Sequence, residues 1–174
     1  MGRRGFTLVE LLVVLAVGSI LLAIAVPGYA FFVHSGRLAA VTNSLVSALQ
    51  LARSEAIKRG VRITVCKTSN PGASLPACDY TAGWHQGWLV FKDEGTRGVL
   101  DPQDELLHIQ QAVVSNGLTV ATTNFSSYVS YLPNGMSQGP NYLGNGTFKL
   151  CLEHSERSVI LSMTGRIRLA SGSC

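Results

Sequence analysis

The chain has 174 residues, 47% of them apolar and 14% charged, with a formal net charge of +4. Once a membrane-spanning start is set aside, this length holds one modest globular domain, which excludes a multidomain enzyme. Arg3 and Arg4 supply half of the net charge, and the remaining 12 basic against 10 acidic residues make no case from composition for nucleic-acid binding.

From Phe6 to Val26 the single charge is Glu10, in an apolar run about as long as a bilayer-spanning helix requires. Arg3 and Arg4 precede the run, and no Lys or Arg follows until Arg37. The positive-inside bias therefore keeps the short leader cytoplasmic and sends the rest outward. Glu10 has no place in a plain anchor, because an intramembrane carboxylate costs about 3 kcal/mol on insertion scales and calls for a cation nearby. No cationic side chain lies within helical reach on its C-terminal side, but cutting after Gly5 exposes an α-amino group on Phe6, one turn away. Three other readings compete: a secretory signal ending at Ala23-Ile24-Ala25, a twin-arginine signal at Arg3-Arg4-Gly5-Phe6, and an uncleaved anchor. Glu10 argues against the first and is unexplained by the third, and the strength of the apolar run argues against the second.

Gly5-Phe6-Thr7-Leu8-Val9-Glu10 resembles the leader-peptidase site of type IV pilins and type II secretion pseudopilins. The resemblance implies cleavage by a prepilin peptidase between Gly5 and Phe6 and N-methylation of Phe6. It also implies that Glu10 serves subunit assembly by pairing with the amine of an adjacent subunit. Pro27 after the apolar run belongs to the same pattern.

Pro27-Gly28 predicts a kink or local melting where the helix leaves the membrane. Leu38, Val41, Leu45, Leu49, Ala52 and Ala56 then recur at three- and four-residue steps, an amphipathic stripe that ends at Gly60 after Lys58 and Arg59. One helix from Phe6 to Arg59 would be roughly 80 Å long. From Val61 the period becomes two, which predicts a half-buried strand through Cys66. Asn70-Pro71-Gly72 and Leu75-Pro76 mark a loop. Further short strands are expected at 88–91, 106–109, 118–121, 129–132, 148–152, 159–161 and 167–169. The four cysteines, Cys66, Cys78, Cys151 and Cys174, all lie on the outward side, where disulfides form. Cys66 with Cys78 and Cys151 with Cys174 is the expected pairing, with other connectivities left open.

This order of elements resembles the FimT/GspH group of minor pilins and pseudopilins. The likeness extends through Ala52-Arg53-Ser54-Glu55-Ala56, Gly83-Trp84, Gly87-Trp88-Leu89-Val90-Phe91 and Gly165-Arg166-Ile167-Arg168. The fold it implies is α+β, a pilin-like lollipop whose long N-terminal helix packs on a small, mainly antiparallel β-sheet head. The expected division is a cleaved leader at 1–5, a transmembrane and filament-core helix at 6–28, an amphipathic helix at 29–60 and a β-rich head at 61–174. The head would be periplasmic and the chain a single-pass inner-membrane protein that enters a pilus or pseudopilus.

Enzyme signatures are absent, and His34, His85, His108 and His154 are scattered, so no catalytic residue and no cofactor are expected. The acidic run Asp93-Glu94 to Asp101, Asp104 and Glu105 offers oxygens to calcium but lacks EF-hand spacing, so a solvated turn and no metal are expected. Trp84 and Trp88 are read as packing residues. Arg166 and Arg168 lie two apart in an expected strand and project from one face, with Ile167 turned to the core. Lys149 and Arg157 extend that patch if their strands are adjacent. In FimT-like pilins a C-terminal Gly-Arg-x-Arg motif is associated with DNA binding, and Gly165 to Arg168 match it residue by residue. The resemblance thus implies a non-catalytic minor pilin for pilus assembly that binds DNA weakly and without sequence specificity during uptake. The alternative is a GspH-like pseudopilin of type II secretion; a membrane-anchored periplasmic enzyme or binding module is more distant.

Overall fold

The computed structural model of the chain describes residues 7–112 and 117–174, and the side chains of 25–28, 30 and 31 are not described. Helix α1 spans Leu8–Arg59. Thr7 caps it, its Oγ1 accepting the Glu10 backbone N–H at 3.2 Å. The helix runs through Pro27 and Gly28 without a break, so the local melting considered there does not occur. It ends at Gly60, whose φ of 67° is readily adopted by glycine and whose N–H donates to the Ala56 carbonyl at 3.0 Å.

The chain divides into two compact units, one ending at Gly36 and the other covering Arg37–Cys174. In the second unit the amphipathic stripe of α1 is closed. Leu38, Val41, Leu45, Leu49, Ala52 and Ala56 are all buried, joined by Ala48. Each fully buried leucine of this kind stabilises the fold by about 2 kcal/mol.

Among the described residues, nine strands form two antiparallel sheets against this stripe. They are β1 (Ile63–Lys67), β2 (Trp88–Lys92), β3 (Glu105–Gln110), β4 (Leu118–Thr123), β5 (Tyr128–Tyr131), β6 (Ser137–Gln138), β7 (Gly146–Leu152), β8 (Ser155–Leu161) and β9 (Ile167–Ser173). The first sheet has the order β3-β2-β1-β5-β6 and the second β4-β7-β8-β9. One apolar cluster joins α1 to both, with Ile63, Val65, Val90 and Val129 from the first sheet and Phe148, Leu150, Val159 and Leu161 from the second. Trp84 and Trp88 belong to it, and Trp84 Nε1–H donates to the Phe125 carbonyl at 3.1 Å. The α+β class is as the sequence implies.

The expectation of a half-buried β1 is corrected: all five of its residues are buried. Ile63 and Val65 face the helix-side core, while Cys66 joins a second cluster with Leu89, Phe91 and Tyr128 on the reverse face. Cys78 and Leu100, from loops remote in sequence, cover that face. The Cys66–Cys78 disulfide fastens the covering loop to the strand beneath it. Strand β8 begins four residues before the expected apolar run at Val159, because ladders on both sides recruit Ser155 to Ser158.

The acidic run is also corrected at its start. Asp93 is buried, with Oδ2 accepting from Thr64 Oγ1 at 2.6 Å and from the Gly98 N–H at 2.9 Å, and with the Arg62 guanidinium 3.6 Å from Oδ1. Asp101 and Asp104 are spent on the loop itself, accepting from the backbone N–H groups of Thr96 and of Glu94 and Asp101. Burial holds the Asp93 carboxyl above the usual carboxylate range, although its hydrogen bonds and Arg62 pull the other way. A carboxyl whose pKa is raised on folding lends its stability at low pH and loses it as pH rises through the folded value. Asp93→Asn is therefore expected to gain in melting temperature relative to the natural chain as pH rises from acid to neutral. Parallel thermal melts across that range check this, and a difference independent of pH would show that the charge costs nothing.

Candidate nucleic-acid interface and assembly residues

Arg166 and Arg168 are presented by the turn that joins β8 to β9. Ser162 to Gly165 form a tight turn, the Gly165 N–H donating to the Ser162 carbonyl at 2.8 Å, and Gly165 follows in the left-handed region at φ 76°. This is the type I turn with a glycine bulge that commonly closes a short hairpin. The ladder then resumes, the Ser162 N–H donating to the Arg166 carbonyl at 3.0 Å. Helix α1 holds the turn in place: Arg53 Nη2–H donates to the Thr164 carbonyl at 2.9 Å and Nε–H to the Gly135 carbonyl at 3.2 Å. Gly135 lies in a second glycine-closed turn with φ 77°, so one guanidinium pins two hairpin ends.

Arg166 immediately precedes β9, and Arg168 lies within it on the edge of the second sheet. Both are exposed, and Ile167 between them packs against the main core. Neither guanidinium has a carboxylate partner among the described residues. Register decides which other cations share their face. Arg168 stands opposite Ile160, which stands opposite Thr147, while Lys149 stands opposite Ser158 and Ala170 in the adjacent row. Lys149 and Arg168 therefore share the face turned away from the buried Phe148 and Leu150. Lys149 also lies 4.0 Å from Glu156, whose other oxygen accepts from Ser158 Oγ at 2.6 Å.

Arg157 does not extend this patch. Its strand is adjacent to that of Lys149, as the expectation required, but Arg157 pairs with Leu150 and Ser171 and so lies on the opposite face. Successive residues alternate between faces, and an offset of one position separates the two cations.

Sequence reasoning missed the surroundings of Arg168. A depression of about 340 Å³ lies beside it, lined by Thr123, Asn124, Asn145, Thr147 and Ser162 among others. Asn124 holds a φ of 65°, and its Nδ2–H donates to the Asn145 carbonyl at 2.9 Å. The only hint in the sequence was Asn145-Gly146, a turn signal between two strands.

Cys66 is bonded to Cys78, and Cys151 to Cys174, so the tail beyond β9 is tied back across β8 to β7. Among the described residues no group of His, Cys, Asp and Glu is placed to hold a metal ion. Glu10 is exposed in the first turn of α1, and no basic group pairs with it among the described residues. Gly5 and Phe6, the expected cleavage and methylation residues, lie outside the described residues. Among the described residues no helix is long and apolar enough to cross a membrane. The segment expected to do so, 6–28, has its first residue and its last side chains outside them.

The model of the family described as "Type II transport protein GspH" matches residues 41–165, and that of the "Prokaryotic N-terminal methylation motif" matches residues 1–26. The chain belongs to the GspH family. Two crystal structures of the Pseudomonas aeruginosa type IV minor pilin FimU, in different space groups, share its fold. One superposes with a TM-score of 0.60 at 20% identity, covering 80% of this chain and 92% of that one. The other gives 0.54 at 20% identity, covering 75% and 90%. No curated protein is a significant match. This GspH-family chain is thus a minor pilin or pseudopilin of a type IV pilus or type II secretion system, a structural class of subunit that assembles with other pilins. Its methylation motif marks a membrane-anchored subunit.

Proposed function

We propose that the chain is a FimT-like minor pilin of a type IV pilus, acting in pilus assembly and binding DNA during uptake, with no catalytic step of its own. The observation that supports this best is the pair Arg166 and Arg168, two exposed guanidiniums without carboxylate partners among the described residues, on a hairpin end braced by Arg53. Guanidiniums so placed bind phosphate oxygens bidentately, and Lys149 adds a third cation on the same face. The similarity in fold to the type IV minor pilin FimU favours the pilus over the secretion system.

In this reading a prepilin peptidase removes residues 1–5 and Phe6 becomes the methylated N-terminus. Residues 6–28 cross the inner membrane once and later enter the filament core, 29–60 form the amphipathic half of the helix, and 61–174 form a periplasmic head. The mature chain is then expected to have the intact mass of residues 6–174 plus one methyl group, less the hydrogens lost in two disulfides. A mass that retains Arg3 and Arg4, or that begins after Ala25, would reject the pilin route.

The test of DNA binding is Arg166→Gln with Arg168→Gln in the full chain in detergent, titrated with labelled duplex DNA at low salt. Binding is expected to fall at least tenfold with the melting temperature nearly unchanged, since both side chains are exposed and neither has a carboxylate partner among the described residues. Affinity of the natural chain should decline with salt at a log–log slope of about −0.9 per phosphate contacted. Absence of DNA binding by the natural chain, or equal binding by the double variant, would favour the second reading, a GspH-like pseudopilin, for which the matched family's description speaks. Deleting the gene would then impair secretion of exoproteins and spare pili and transformation.

A further inference from the structure

The loop at 139–145 carries an exposed aromatic ring outside the core. Tyr142 is 72% exposed, yet it sits in the left-handed region at φ 65°, a conformation uncommon for an aromatic residue. Local hydrogen bonds hold it there: the Gly139 N–H donates to the Leu143 carbonyl at 2.7 Å, the Tyr142 N–H to the Gly139 carbonyl at 3.1 Å, and the Leu143 N–H to Asn141 Oδ1 at 3.2 Å. Arg97 lies against the ring, its guanidinium carbon 3.8 Å from the centroid. Arg97 is itself fixed, donating from Nη1 to Gln138 Oε1 at 3.1 Å and from Nη2 to the Pro140 carbonyl at 3.3 Å. An exposed aromatic ring is thus held ready, backed by an anchored cation, at some cost in backbone strain. Such strain collects where a surface is arranged for a ligand.

The same loop leads directly to the Arg168 depression. Asn141 Nδ2–H donates to Asn124 Oδ1 at 3.2 Å, Asn124 donates to the Asn145 carbonyl, and Asn124 and Asn145 line the depression with Arg168. Tyr142 and Asn145 are three positions apart in the chain, so their Cα atoms lie within about 11 Å of one another. A ring for stacking is therefore only three positions along the chain from a depression lined by a cation with amide and hydroxyl groups. Their chemistry matches a base next to a sugar-phosphate backbone. Duplex DNA cannot use the ring without unstacking, whereas single-stranded DNA offers every base face.

Resting on the DNA-binding reading above, we propose that Tyr142, backed by Arg97, is a stacking platform and that the head binds single-stranded DNA in preference to duplex, with the backbone led toward Arg168. The full chain in detergent is titrated by fluorescence anisotropy with a labelled oligothymidylate, with the same backbone bearing abasic sites, and with a duplex. The natural chain is expected to bind the oligothymidylate more tightly than the other two. Tyr142→Ala is expected to weaken the oligothymidylate about tenfold, the effect of one lost stacked base, and to leave the duplex unchanged. Tyr142→Phe retains the ring and should bind as the natural chain does, which separates stacking from loss of the hydroxyl. If Tyr142→Ala binds the oligothymidylate as well as the natural chain while duplex is still bound, the platform is refuted and the DNA-binding reading survives. If the natural chain binds none of the three, both fall, and the exposed ring becomes a contact for a neighbouring subunit.

Discussion

Gly165→Ala is expected to lower the stability of the folded chain by about 2–5 kcal/mol and to weaken DNA binding in parallel. Two penalties add. Glycine is at φ 76°, and an L-residue held there costs roughly 1–2 kcal/mol. The new methyl group would also stand 2.3 Å from the Gly135 carbonyl oxygen, 2.9 Å from Arg53 Nε and 3.1 Å from a Tyr131 ring carbon. The first of these is backbone and the last belongs to a fully buried ring, so neither withdraws freely, and overpacking of this kind costs about 1–3 kcal/mol. Relief requires the hairpin end to move away from Gly135 and Arg53, which shifts Arg166 and Arg168 with it. Thermal melts together with the duplex titration check the prediction. The pattern differs from that of the arginine double variant, which should lose binding with its melting temperature intact. A Gly165→Ala chain that melts and binds as the natural one does would mean that the turn tolerates a side chain and that the glycine of the Gly-Arg-x-Arg sequence has no structural role.

Glu10→Ala is expected to leave the melting of the head unchanged and to reduce incorporation into filaments by about a hundredfold. Glu10 lies in the first turn of α1, far along the chain from the buried stripe that begins at Leu38, so the fold of the 37–174 unit makes no use of it. In the membrane its carboxylate costs about 3 kcal/mol, and its removal should if anything ease insertion. In the proposed assembly that carboxylate meets the N-terminal amine of a neighbouring Phe6 within an apolar bundle. Removing one partner of such a buried pair costs about 3–5 kcal/mol, more than a hundredfold in an equilibrium constant. The measurement is the amount of the variant in sheared filaments relative to the membrane fraction. Wild-type incorporation would reject the pairing, whereas loss from the membrane fraction would place Glu10 in insertion.

Much of this protein was legible in the sequence because the signals concerned are local. The spacing of Gly5, Phe6 and Glu10 ahead of an apolar run is a pattern along the chain, and the methylation-motif match falls on the same residues. The stripe from Leu38 to Ala56 is a periodicity, and the helix buries every residue read from it because neighbours at three- and four-residue steps share a face whatever they pack against. The class of the fold followed from the change of period after Gly60. Tertiary structure decided what depends on partners distant in sequence. Strand β1 alternates as a half-buried strand does, but the separate loops carrying Cys78 and Leu100 fold over its second face and bury it. Arg157 and Lys149 lie on neighbouring strands, and the ladder register, which no composition encodes, turns them to opposite sides. The depression beside Arg168 draws Asn124, Asn145 and Ser162 from three separate connections, and only the tertiary fold brings these residues together along one wall with that arginine.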